Sequence, residues 1–149
     1  MHLEPLATVH VELAPMLGVG VTPGGERRVY PIVGGSFAGA AFTGTVLPGG
    51  ADWQLVLADG TAVIDTRYLL RTDDGALVYI RTRGFRHGPP DVLARLAAGE
   101  PVDPTAYYFR LSLHFETAAP QYAWLGRTVA VASARREPAA VVYDAYTLS

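Results

Sequence analysis

Between Tyr108 and Glu116 the chain alternates strictly. Tyr108, Arg110, Ser112, His114 and Glu116 occupy every second position, with Phe109, Leu111, Leu113 and Phe115 between them. Successive side chains of an extended strand point to opposite faces. One face of this segment therefore carries a phenol, a guanidinium, a hydroxyl, an imidazole and a carboxylate. His114 is the residue type that exchanges protons near neutral pH, with Glu116 placed to tune it. Arg110 is the type that grips a carboxylate or enolate through two parallel hydrogen bonds. Two facings remain open at this point. If the apolar row fills an interior, the polar row is a solvated or subunit-facing surface. If the polar row lines a cavity, the apolar row packs outside it.

Similar parity arguments extend the set. Arg81 shares a face with Leu77, Tyr79 and Arg83. Asp65 shares one with Val63, Arg67 and Leu69, and Tyr68 points the other way. The candidate catalytic residues are His114, Arg110, Tyr79, Arg81 and Asp65. The candidate substrate-binding residues are Trp53, Tyr68, Tyr108, Glu116 and Trp124, of which the tyrosines and tryptophans give an aromatic wall with polar tips. The competing reading is a structural Arg–Asp pair and tyrosines that fill the core. Two His-x-Glu pairs, His10/Glu12 and His114/Glu116, each lie on one strand face. They make a metal site only if their strands are neighbours. No metal and no cofactor is expected. His87 falls in a Gly/Pro-rich stretch, Gly84 to Pro90, read as a loop.

What is missing narrows the chemistry. The 149 residues contain no Cys, Lys or Asn. Disulfides, thiolate ligands, cysteine nucleophiles, Schiff-base lysines and phosphate-loop lysines are excluded. A formal net charge of -2 leaves no electrostatic footprint for nucleic acid. No apolar run approaches the roughly 20 residues that span a bilayer as a helix. The N-terminus, Met1-His2-Leu3-Glu4-Pro5, has no signal-peptide pattern, so a cytoplasmic location is expected.

The elements that must hold these residues are mostly strands. Half the residues are hydrophobic, enough for one core, and a single β-barrel domain over 1–149 is expected. Period-two runs rich in Val, Tyr, Phe and Thr predict strands over Ala7–Leu13, Arg28–Val33, Ala41–Leu47, Trp53–Ala58, Ala62–Arg71, Ala76–Gly84, Ala106–Thr117, Thr128–Arg135 and Ala140–Leu148. Tyr122–Leu125 is read as extended chain leading into the eighth of these. Pro15–Gly25 is read as a loop, Gly34-Gly35 as a break or bulge, and Asp59-Gly60 as a hairpin turn. One short α-helix fits Pro90–Ala98, opened by Pro and closed by Gly99. The fold class is mainly all-β: an antiparallel β-barrel of about eight to ten strands, lipocalin/calycin-like or allene-oxide-cyclase-like. Closure removes the exposed edges.

Several segments carry a family likeness: Gly34-Gly35-Ser36-Phe37-Ala38-Gly39, then Gly44 through Gln54, then Asp65-Thr66-Arg67-Tyr68, Asp74 through Tyr79, Tyr108-Phe109-Arg110, Phe115-Glu116-Thr117 and Tyr122-Ala123-Trp124-Leu125. In that order they resemble the bacterial domain-of-unknown-function family 3237. Leu47 to Gln54 is the most specific part. The resemblance implies a small antiparallel β-barrel, often oligomeric, without a generally established activity. Ala38 stands where the family usually has an acidic residue, Gly126 where it has Asn, and His114 where Pro is frequent.

The functional expectation is a cofactor-independent enzyme of isomerase, cyclase or lyase type. It would act by proton transfer on a small, partly apolar or aromatic metabolite in the barrel, as natural-product cyclases do. The alternatives are a lipocalin-like binding protein that does not turn its ligand over, and an oligomeric structural subunit with a filled interior. The expected partners are a small-molecule ligand and further copies of the chain, with neither nucleic acid nor membrane.

Overall fold

Ten antiparallel strands form the wall of a closed barrel in a computed structural model that describes all residues from Met1 to Ser149. They are β1 (Leu3–Leu13), β2 (Leu17–Thr22), β3 (Gly25–Ala38), β4 (Thr43–Val46), β5 (Gly50–Val56), β6 (Ala62–Thr72), β7 (Leu77–His87), β8 (Tyr108–Glu116), β9 (Ala130–Glu137) and β10 (Ala140–Leu148). Around the wall the order runs β1, β10, β9, β8, β7, β6, then β4 and β5 together, then β3 and back to β1. Strand β3 is long enough to serve two neighbours on each side. Its first half lies between β2 and β5, its second between β1 and β4. Ten strands thus occupy eight places around the barrel.

Closure depends on a close backbone approach. At Gly35, φ is +140° and a Cβ would sit 1.9 Å from the carbonyl oxygen of His10. Only glycine fits there. The β1–β3 register shifts between Glu12 and Leu13 and leaves Val33 unpaired, so the bulge lies one residue before the Gly34-Gly35 position expected from the sequence, and β3 continues through both glycines.

The alternation is oriented by the core. Phe109, Leu111, Leu113 and Phe115 are buried, and the polar row of β8 faces outward. The apolar rows of β6 and β7 join them inside, in one core of 26 residues. Helix α1 (Pro90–Ala97) follows β7, and its only buried residue is Val92.

Three local expectations are corrected. Leu17–Thr22 is strand β2 and not loop. It pairs through its backbone with β3 while Val19 and Val21 project into solvent, so no alternating burial marks it. Tyr122–Leu125 belongs to a 3-10 helix, Pro120–Arg127, which Pro120 opens and whose Leu125 enters the core. His87 ends β7 and not a loop. It pairs with Tyr108, and the two rings stack at 4.7 Å.

Candidate functional site

The strand faces that fill the barrel change character along its length. At one end the inward residues are Phe37, Val46, Leu70, Val78, Ile80, Leu113 and Phe115, with Leu125 of the 3-10 helix across the bottom. Toward the other end the same rows turn polar. On β6 the inward series passes from Leu70 to Tyr68 and Thr66. On β7 it passes from Ile80 to Thr82 and Arg86. Strand β5 adds Asp52 and Gln54, β3 adds Tyr30, β9 adds Arg136 and β10 adds Tyr143.

These side chains surround an interior cavity of about 30 Å3, room for a water molecule or two. Tyr30, Arg86 and Arg136 also line a larger chamber outside it, about 550 Å3, between the barrel mouth and α1. Those three residues form the neck between chamber and interior. Val56, Leu93, Leu96 and Ala97 give the chamber its apolar wall.

Asp52 is the one carboxylate inside. It is 8% exposed. Its Oδ1 accepts the Asp65 backbone N–H at 3.2 Å, and its Oδ2 accepts the Gln54 amide at 3.1 Å. Loss of hydration pushes its pKa up. The two hydrogen bonds and the charge of Arg86 oppose this but do not overcome it. No guanidinium comes within ion-pair distance of it. Gln54 is 2% exposed, and no group of the protein donates a hydrogen bond to its Oε1, which leaves that oxygen free to accept from a molecule in the cavity.

Two hydroxyl pairs complete the interior. The Tyr68 and Tyr143 hydroxyls meet at 2.5 Å, as do those of Thr66 and Thr82. Burial pushes both tyrosine pKa values up, so both remain neutral phenols. Two phenols carry two protons and their mutual bond uses one. The other is free to donate into the cavity.

At the neck the cations are held without counterions. The Arg86 guanidinium lies over the Phe109 ring, 5.6 Å from its centroid. Arg136 lies 5.2 Å over Tyr30 and donates to the carbonyls of Glu137 and Ala140. Its backbone N–H donates to the Tyr107 hydroxyl at 2.9 Å, which fixes its position on β9. Desolvation, then the neighbouring Arg136 charge, draws the Arg86 pKa below its ordinary value.

Most residues singled out from the sequence stand elsewhere. His114, Arg110, Tyr108 and Glu116 face outward on β8, and Tyr79 and Arg81 face outward on β7. The register pairs Arg81 with His114 and Tyr79 with Glu116. Asp65 joins them from β6 through an ion pair with Arg81 at 3.2 Å. These residues form one outer patch, away from the barrel interior. Arg110 sits over Tyr108 at 5.6 Å. Trp53 is exposed on β5, and Trp124 packs beneath the apolar end. Of the ten, Tyr68 alone lines the cavity. The strands carrying His10 and His114 are separated by β10 and β9, so the two His-x-Glu pairs do not converge. Ala38, Gly126 and His114, the departures from the family pattern, line neither cavity nor chamber.

The sequence reading missed Asp52, Gln54, Arg86, Arg136 and Tyr143. A signal existed for Arg86: it is in phase with Val78, Ile80 and Thr82. Ending the strand at Gly84 hid it. Asp52 and Gln54 lie inside the most family-like stretch, on the face opposite to Trp53.

The fold and sequence have relatives. The description "Protein of unknown function (DUF3237)" matches residues 1–148. A UPF0311 protein of Rhodopseudomonas palustris is 39% identical over 139 residues, 93% of this chain and 91% of that one. Another, from Clostridium acetobutylicum, is 42% identical over 125 residues, covering 84% and 79%. A crystal structure of a beta-barrel like protein from Acinetobacter baumannii is 53% identical with a TM-score of 0.88, over 99% of this chain and 96% of that one. An enzyme from Penicillium herquei shares the barrel at 21% identity and a TM-score of 0.74, over 99% and 94%. The chain belongs to the DUF3237 family of β-barrel proteins.

Proposed function

We propose that the polar end of the barrel is a cofactor-independent acid–base site of isomerase, cyclase or lyase type, acting on a small, partly apolar metabolite. The observation that carries this reading is Asp52: a buried carboxyl with a raised pKa and no ion-pair partner, facing a cavity that leads to an open chamber. The proton-transfer role expected of His114 passes to Asp52, because His114 lies on the outer wall.

The chemistry follows from the groups present. Ionised Asp52 takes a proton from an acidic C–H or O–H of the ligand. Negative charge then develops on the conjugated oxygen. Arg86, Arg136 and the spare phenol proton of the Tyr68–Tyr143 pair stabilise it. Asp52 returns the proton to a different atom, which completes an isomerisation. Gln54 holds Asp52 from one side and offers Oε1 to a ligand donor.

The test is solvent exchange. Purified protein is incubated in deuterated buffer with enolisable aryl ketones such as 2-tetralone, and label uptake is followed by NMR. The expected result is faster exchange than in buffer, reduced about 100-fold or more by Asp52→Asn. Uptake no faster than buffer across the ketones, or unchanged in the variant, overturns the reading. Bound but unexchanged ketone would favour the lipocalin-like carrier.

Self-association is also proposed. Leu3, Phe85, Tyr108 and Tyr146 line an outer groove of about 450 Å3, an apolar surface that a second copy would cover. A monomer by light scattering at micromolar concentration would count against it.

A further inference from the structure

The charges around the chamber are unbalanced. Arg28, Arg86 and Arg136 line it, and the only carboxylate in its lining is Asp59. Arg28 is neutralised by Glu26 at 2.8 Å. Asp59 is occupied in its own turn, accepting the Thr61 N–H at 2.9 Å. Arg86 and Arg136 are left without a carboxylate within ion-pair distance. Two guanidinium groups that share a neck repel one another, and an anion between them relieves that repulsion.

The surroundings define the rest of the ligand. Aromatic faces of Phe109 and Tyr30 lie against the two cations. The Arg86 guanidinium makes no hydrogen bond within the chain, and Arg136 donates to carbonyls through Nη1 alone, so N–H groups of both remain for a partner. Across the chamber, Val56, Leu93, Leu96 and Ala97 present hydrocarbon. The volume of about 550 Å3 falls within the range of small-molecule sites.

We infer that the chamber recognises its ligand as a carboxylate, gripped by Arg86 and Arg136, on a flat apolar body that lies against α1. This rests on the reading of the barrel mouth as the ligand site and names the class of molecule it takes. The carboxylate sits at the neck as a handle, between the apolar body in the chamber and the cavity that Asp52 faces.

The test compares 2-naphthoate with neutral 2-naphthamide by titration calorimetry against the intact protein. The expected result is that naphthoate binds at least about tenfold more tightly, the worth of one charge-assisted hydrogen bond in such a site. Arg86→Met brings the two ligands to similar affinity, and Arg86→Lys recovers part of the preference. Arg81→Met, on the outer wall, keeps the preference, because Arg81 lines neither the cavity nor the chamber. A thermal melt of each variant confirms folding. If Arg86→Met does not fold, Arg136→Met is expected to reduce the preference in its place. Equal affinities in the wild-type protein, or no binding of naphthoate, overturns the inference. A carboxylate preference without Asp52-dependent exchange would sink the acid–base reading and leave this one standing. Asp52-dependent exchange without the preference would do the reverse.

Discussion

The two ends of one barrel are built from the same strands yet obey different rules. At the sealed end, Leu70, Val78 and Ile80 have no exposed surface at all, and Leu113 and Leu125 have almost none. They are apolar side chains buried together in one core. At the open end the same strands supply Asp52 with a raised pKa, a Gln54 oxygen without a donor and two unpaired arginines. Each of these costs stability, and contacts within the chain offset the costs only in part. The contrast separates what holds the fold from what the fold holds: the sealed end carries the stability and the open end spends it on groups poised for a ligand.

The comparison breaks first at the sealed end. Leu113→Ala removes buried methyl groups from a site ringed by strands that cannot collapse. The expected loss is about 2–5 kcal/mol, read as a lower urea midpoint with an unchanged slope. A loss under about 1 kcal/mol would mean that this end is looser than its burial states.

The tyrosine pair sharpens the boundary between the ends. Tyr68→Phe leaves the Tyr143 hydroxyl buried without its partner, and the expected cost is about 1–2 kcal/mol. Replacing both by Phe removes donor and acceptor together, so the double variant is expected to be no less stable than either single one. Additive losses in the double-mutant cycle would show that each hydroxyl has a separate role in the interior.

Asp52 gives the opposite sign. Because burial raises its pKa, the folded protein holds this proton more tightly than the unfolded chain does. The folded state is therefore penalised as pH rises from the ordinary carboxylate value of 3.8 through the raised one, and the penalty is complete above it. Asp52→Asn removes that penalty. The Asn oxygen still accepts the Asp65 N–H, and its amide can donate to the Gln54 oxygen that now lacks a donor. The variant is expected to be more stable than the wild type at pH 7, with the gain vanishing below about pH 3.8. Urea titrations across pH check this, and a variant less stable at pH 7 would contradict it.

Much of this architecture was legible from parity alone. The alternation in β6, β7 and β8 located those strands, and the turn at Asp59-Gly60 joined β5 to β6. Parity also divided Tyr68 from Asp65 correctly. It could not say which face was inside, because Phe109 and Arg110 rows are equally regular and only closure of the sheet decides. The site escaped for a related reason. Its members come one or two at a time from β3, β5, β6, β7, β9 and β10, so no local run of polar residues announces them. The visible run on β8 was the solvated outer face.

That outer face yields the smallest expected effect, and for a physical reason. Asp65 and Arg81 lie 3.2 Å apart, but their side chains remain 26% and 35% exposed. Water and salt screen such a pair, and ordering two side chains costs entropy. The Asp65→Asn and Arg81→Met cycle is expected to give a coupling of at most about 1 kcal/mol, shrinking as salt is raised toward 1 M. Neither change is expected to alter the affinity for 2-naphthoate, since neither residue lines the chamber. A coupling that survives high salt would mean the patch is covered, as it would be if a second copy of the chain docks on the outer wall. Ligand affinity that changes with Asp65→Asn would instead mean that the Asp65 charge reaches the interior through Asp52, whose pKa it helps to raise.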